Sequence, residues 1–195
     1  MEKYQKYFNK IKEIGKITEL SHRTALENLL NEIKPNKNIK IIQEPKREKG
    51  FGAPDYRVEV NEAIIGYIET KDIENDLNKT IRTAQIKRYL SVTENLIITN
   101  YHDFILVHDK DNRETAVLFD EPDIDKRNSQ LENDNIIQVG KLLEKFFIAE
   151  PIMIGKSKKL AEYFASRGRI LKEYIVEVLD AKNDDRFSNQ LIGLK

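Results

Sequence analysis

Apolar residues fall first at helical and then at strand spacing along the chain. Between residues 18 and 33, Leu20, Leu26, Leu29, Leu30 and Ile33 recur at three- and four-residue steps. Thr18 stands as a possible N-cap and Pro35 follows the end, so the spacing predicts an amphipathic helix. Residues 39–42 form a short β-branched run, and residues 44–54 mix charge with two glycines and two prolines, as a loop does. Residues 56–60 then alternate with period two, whereas 64–68 are more continuously apolar, which predicts a hairpin whose second strand lies deeper.

Residues 76–90 read as one helix with Leu77, Ile81, Ala84 and Leu90 inward. Lys79, Arg82, Lys87 and Arg88 make its outer side basic. Strand patterns follow at 95–100, 104–108 and 115–119, with turn formers at 109–113 between the last two. Residues 121–135 read as a polar connector. Two further helices are expected at 136–148 and 157–179, punctuated by Pro151 and Gly155. The order α-β-β-β-α-β-β-β with helices after it predicts an α/β fold, a central mixed sheet flanked by helices.

With 195 residues the chain can bury a core of domain size. It has no cysteine, so thiolate ligation and cysteine nucleophiles are excluded, and a metal would have to be held by oxygen or imidazole. The 33 Lys and Arg balance 33 Asp and Glu, so the bulk positive field of a self-sufficient DNA binder is missing. No run of about 18 apolar residues and no leader-like N-terminus occur, which points to a soluble cytoplasmic protein without membrane contact. The partly apolar stretch 189–192 close to Lys195, with no stop signal, suggests a piece of a longer polypeptide.

Candidate chemistry sits on the predicted hairpin, where Asp55 opens one strand and Glu69 ends the other. A three-residue turn centred on Glu62 pairs Val60 with Ile64 and sets Asp55 opposite Glu69, with Cβ atoms roughly 4.5–5.5 Å apart. Like charges there are destabilising unless a cation compensates. A two-residue turn at Asn61-Glu62 would instead pair Asp55 with Ile68. Strand periodicity returns Lys71 to the face of Glu69, Tyr67 and Ile65. Gln85 and Tyr89, four apart on a helix, can reach one ligand. Taken singly these features stay ambiguous: Pro54-Asp55 is a common turn, Glu69-Thr70-Lys71 an ordinary strand end, and Arg23 with Glu27 an ordinary helical ion pair. His22, His102 and His108 show no metal-ligand spacing.

In order, Glu27, Gly52-Ala53-Pro54-Asp55, Gly66-Tyr67-Ile68-Glu69-Thr70-Lys71 and Gln85-Ile86-Lys87-Arg88-Tyr89 resemble the PD-(D/E)xK nuclease superfamily, in its RecB-like branch with a QxxxY motif. The wording of residues 23–30, 66–69 and 95–101 is similar to the N-terminal nuclease domains of Type IIG and Type ISP single-chain restriction-modification enzymes. The resemblance covers residues 18–110 well. It implies a restriction-endonuclease-like core in which Asp55 and Glu69 hold Mg²⁺, with Mn²⁺ able to substitute, and Glu27 adds a metal-site carboxylate. Lys71 would be the catalytic lysine, and Gln85 and Tyr89 would support the site near the DNA backbone. Arg82 and Arg88, from the basic helix beside the site, are added as DNA contacts. Thr70 stands where relatives often carry a smaller residue, its side chain expected to point away from Glu69. The same resemblance implies a nuclease domain over 1–150 and a helical linker over 151–195, leading toward methyltransferase and target-recognition domains that this sequence lacks, with double-stranded DNA as partner. A free-standing nuclease, or an inactive DNA-binding module of the same fold, are the alternatives.

Overall fold

The computed structural model describes residues 1–15, 19–46, 52–108, 112–120, 124, 130–151, 164–165 and 168–176. In chain order the elements are α1 (Glu2–Ile14), α2 (Glu19–Ile33), β1 (Ile39–Gln43), β2 (Tyr56–Val60), β3 (Ala63–Thr70), α3 (Leu77–Thr80), α4 (Ala84–Leu90), β4 (Leu96–Thr99), β5 (Asp103–Val107), β6 (Arg113–Val117) and α5 (Asn133–Phe147). The chain divides into two compact units, residues 1–45 with 54–153, and residues 46–53 with 154–195. All elements named above lie in the first unit. In the second, residues 164–165 and 168–176 are helical; the rest of the helix expected at 157–179 lies outside the described residues, as do Thr18 and most of the 121–135 connector.

The six strands form one sheet in sequential order. Every pairing is antiparallel except β3 with β4, which is parallel. A parallel neighbour requires a crossover, and α3 and α4 supply it. Alternation then separates two faces. Ile68, Ile97 and Leu106, directly paired across β3, β4 and β5, join a core with Tyr7, Phe8 and Ile11 of α1, Leu26, Leu29 and Leu30 of α2, and Val139, Leu142 and Phe146 of α5. Tyr67, Glu69, Leu96, Ile98, Ile105 and Val107 point to the other face, where α4 lies: the Tyr89 ring stands 6.3 Å from that of Tyr67. The sheet is thus covered by helices on both faces.

Sequence periodicity located every strand to within two residues at either end but missed α1. Tyr4, Tyr7, Phe8 and Ile11 are its buried residues, at the three- and four-residue steps of an amphipathic helix, and Tyr7 Oη donates to the Tyr101 carbonyl at 2.8 Å. The single helix expected at 76–90 is two. Asp76 caps α3 through the Asn78 amide, and Thr83, in extended geometry (φ −69°, ψ 154°), interrupts the ladder and caps α4 through the Ile86 amide. The inner face of α4 is consequently Ile86 and Tyr89, and Ala84 is exposed. Helix α5 starts at Asn133, three residues before the expected 136.

The β2–β3 turn also differs from expectation. It has two residues, with Val60 paired to Ala63, and Asn61 (φ 47°) and Glu62 (φ 68°) both take the positive φ of a type I′ turn. By itself that register would misalign the carboxylates. A bulge corrects it: Glu59 pairs with Ile64 but Val58 with Gly66, so two residues of β3, Ile64 and Ile65, stand opposite one position of β2. Beyond the bulge Arg57 pairs with Tyr67 and Tyr56 with Ile68, the register that points toward Asp55 and Glu69 one step further on. The bulge also breaks strict alternation, and Ile65 packs in the main core with Ile68 instead of with Tyr67. Because an L-residue in the left-handed region is strained and glycine is not, Glu62→Gly is expected to raise stability by about 0.5–1 kcal/mol, read as a higher urea midpoint at unchanged m.

Candidate active site

Asp55 stands just before β2, Glu69 near the end of β3 and Lys71 just after it; Lys71 pairs with Glu69, and Asp55 bonds Thr70, the residue between those two. Glu69 is the best-buried charged group there, 3% exposed, and a carboxylate in that position is tolerated only if compensated. Lys71 Nζ stands 2.7 Å from its Oε1, and Gln85 Nε2 donates to the same oxygen at 2.9 Å. The ammonium arrives from the residue just past β3, two after Glu69, and the amide from α4. Gln85 in turn lies 2.9 Å from Tyr89 Oη. Burial, and next the negative charge of Glu69, push the Tyr89 phenol well above its ordinary pKa, so Tyr89 stays a neutral hydroxyl at physiological pH.

Asp55 is held from two sides. Its Oδ2 accepts from the Thr70 amide and the Thr70 hydroxyl, both at 2.7 Å, and its Oδ1 meets Arg23 Nη2 of α2 at 2.5 Å. Arg23 also reaches Glu44 Oε1 at 3.2 Å. The Asp55 carbonyl accepts from the Glu44 amide at 2.8 Å, which closes the end of β1 against the start of β2. Sequence reading found neither Arg23 nor Thr70. For Thr70 the strand parity was informative but incomplete: the hydroxyl turns from Glu69 and toward Asp55. For Arg23 the helical ion pair with Glu27 was the expected partner, and the guanidinium goes to Asp55 and Glu44 instead.

The remaining candidates divide. Glu27, half-buried on α2, is near the Tyr56 phenol, which burial pushes up in pKa. Among the described residues no three acidic or imidazole side chains converge as a ready metal-ligand cluster, so Glu27, Asp55 and Glu69 do not form one set. Arg82 is exposed in the turn between α3 and α4, and Arg88 is half-buried on α4 next to Tyr89. The histidines have structural partners: His22 bonds the Gly15 carbonyl at 2.8 Å, His102 the Ile73 carbonyl at 3.1 Å, and His108 lies 3.5 Å from Glu114. Of the loop before Asp55, residues 47–51 lie outside the described residues.

A hard divalent cation such as Mg²⁺ is characteristically held by one or two carboxylates, with water and substrate phosphate completing its shell. Asp55 and Glu69 fit that requirement in chemistry, both being oxygen donors, and the hairpin register of Tyr56 with Ile68 runs on toward them.

No family model matches the chain, and no curated protein does. Among solved structures, a chain of the cryo-EM structure of a DrdV–DNA complex matches with a TM-score of 0.57 and 21% identity, over 77% of this chain and 96% of that one. The architecture is that of a restriction-endonuclease-like α/β core: a six-stranded mixed sheet between helices, with the acidic pair at the end of its central hairpin. Among the described residues no helix is long and apolar enough to cross a membrane.

Proposed function

We propose that this chain is a Mg²⁺-dependent endonuclease domain of the PD-(D/E)xK type that hydrolyses DNA phosphodiesters, acting as the cleavage module of a restriction-modification polypeptide. The observation that carries the reading is the buried Glu69 held by Lys71 and by Gln85, with Tyr89 behind Gln85, while Asp55 bonds Thr70 between Glu69 and Lys71. The DrdV chain of like fold comes from a complex with DNA, which supports a DNA-acting role.

Asp55 and Glu69 would hold the cation. When bound, it supplies Lewis acidity toward the phosphate and a more acidic water. Lys71, 24% exposed, keeps an ammonium at the rim, where it can orient the attacking water and offset charge developing on the phosphate. Gln85 fixes the Glu69 carboxylate by donating to Oε1, and the buried Tyr89 fixes Gln85. Thr70 holds the Asp55 carboxylate through two hydrogen bonds. Arg82, exposed, and Arg88, half-buried, lie on the crossover beside Gln85 and are proposed as backbone phosphate contacts.

Balanced charge makes targeting depend on other domains, which we propose to be a methyltransferase and a target-recognition region in the same polypeptide. The isolated chain is accordingly expected to nick plasmid DNA in Mg²⁺ only at large molar excess, and to bind DNA weakly at physiological salt. A gel-shift assay showing tight, metal-independent binding would contradict this and favour a binding module over a cleavage module.

A further inference from the structure

The two Asp55 oxygens differ in what they have left to give. Each carboxylate oxygen offers two lone-pair directions. On Oδ2 both are taken, one by the Thr70 amide and one by its hydroxyl. Coordination by Asp55 must therefore run through Oδ1, and Oδ1 is where the Arg23 guanidinium sits, at 2.5 Å. A doubly charged cation on that oxygen would share it with a full positive charge. Both side chains are only 12% exposed, so solvent and salt screen this repulsion poorly.

The guanidinium has a second acceptor within reach. Its Nη1 lies 3.2 Å from Glu44 Oε1, while Nη2 holds Asp55. Glu44 is 67% exposed and is tethered beside Asp55 by its backbone amide. One cation is therefore shared between a sheltered carboxylate that belongs to the proposed metal site and a solvated one that does not. A planar fork with donors on separate nitrogens can release one acceptor and keep the other.

We infer that Arg23 is a charge latch on Asp55: it competes with the divalent cation for Oδ1, and Glu44 receives it when the cation binds. The inference rests on the metal-site reading given under Proposed function. The latch gives the sheltered acidic pair a counter-charge in the absence of metal, Arg23 on Asp55 and Lys71 on Glu69, and sets a threshold that a cation must overcome. Arg23 is here a positioning residue, acting through Asp55.

The test is Mn²⁺ binding, with the metal alone and no DNA, followed by electron paramagnetic resonance on the whole chain. Arg23→Gln is expected to tighten the Asp55-dependent site about tenfold or more, since a competing charge is removed. Glu44→Gln is expected to weaken it about threefold, and to have no effect in the Arg23→Gln background, because the two substitutions act on one switch. Arg23→Lys, which keeps the charge and the fold but loses the fork, is expected to fall between wild type and Arg23→Gln; it carries the test if the glutamine variant does not fold. Affinity unchanged or weakened in both Arg23 variants, with the site still lost in Asp55→Asn, overturns the latch and leaves the metal site standing. Binding that survives Asp55→Asn overturns the metal-site reading itself, and the latch with it.

Discussion

Replacing Lys71 by alanine is expected to lower Mg²⁺-dependent DNA nicking by about 100- to 1,000-fold, the loss that follows removal of one charge-stabilising group from a reaction centre. Lys71 donates no oxygen to a cation, so the variant should still bind Mn²⁺, and the defect should fall on turnover. The same substitution removes the ammonium 2.7 Å from a carboxylate that is 3% exposed. Some loss of metal-free stability is therefore expected, offset when a divalent cation supplies the missing positive charge. Circular dichroism and a thermal melt in Mg²⁺ separate the chemical defect from a folding defect. Full cleavage by a folded Lys71→Ala protein would remove the lysine from the mechanism.

A second large effect is expected at Gly66. This residue faces α5 in the middle of β3, and a Cβ there would stand 2.4 Å from the Asn95 carbonyl oxygen, 2.7 Å from Phe146 Cε2 and 2.8 Å from Asn95 Nδ2. The carbonyl accepts from the Tyr67 amide at 3.1 Å, and the Asn95 amide bridges the Ile65 and Phe146 carbonyls at 2.8 and 2.9 Å. None of these neighbours is the far end of a flexible side chain with room to move. Gly66→Ala should therefore cost about 2–4 kcal/mol, at or above the usual range for overpacking, and lower the urea midpoint. The site would suffer as well, since Gly66 lies between the bulge and Glu69. A stability within about 0.5 kcal/mol of wild type, the size seen for ordinary surface changes, would show that α5 can give way.

How far the chain could be read in advance depended on the range of the interactions involved. Local periodicity carries the strands and α2, because a buried face leaves its mark every second or every third and fourth residue. The same signal was present in Tyr4, Tyr7, Phe8 and Ile11, and the charged residues among them masked it. The break at Thr83 was less visible, since a threonine within a helical pattern declares itself as a cap only when the chain turns there.

The hairpin shows two local effects cancelling. The turn is one residue shorter than the pairing of Asp55 with Glu69 requires, and the bulge opposite Glu59 adds that residue back. The expected register, read at Tyr56 and Ile68, thus followed from a wrong turn. The acidic pair, Lys71, Gln85 and Tyr89 were legible as spacing within and between neighbouring elements. Arg23 on Asp55 was not, because it joins α2 to the start of β2 through a tertiary contact to which no spacing points. Glu27 has a motif position that suggests a ligand, and on α2 it lies near enough to the Tyr56 phenol to act on it, as Asp55 does.

The most direct measurement of the central claim is conversion of supercoiled plasmid to nicked circle by the wild-type protein and by Asp55→Ala, each in Mg²⁺ and in EDTA. Nicking is expected only from the wild type in Mg²⁺, with Asp55→Ala inactive although folded. Equal nicking in EDTA, or by Asp55→Ala in Mg²⁺, would contradict the assignment of Asp55, Glu69 and Lys71 as a metal-dependent nuclease site.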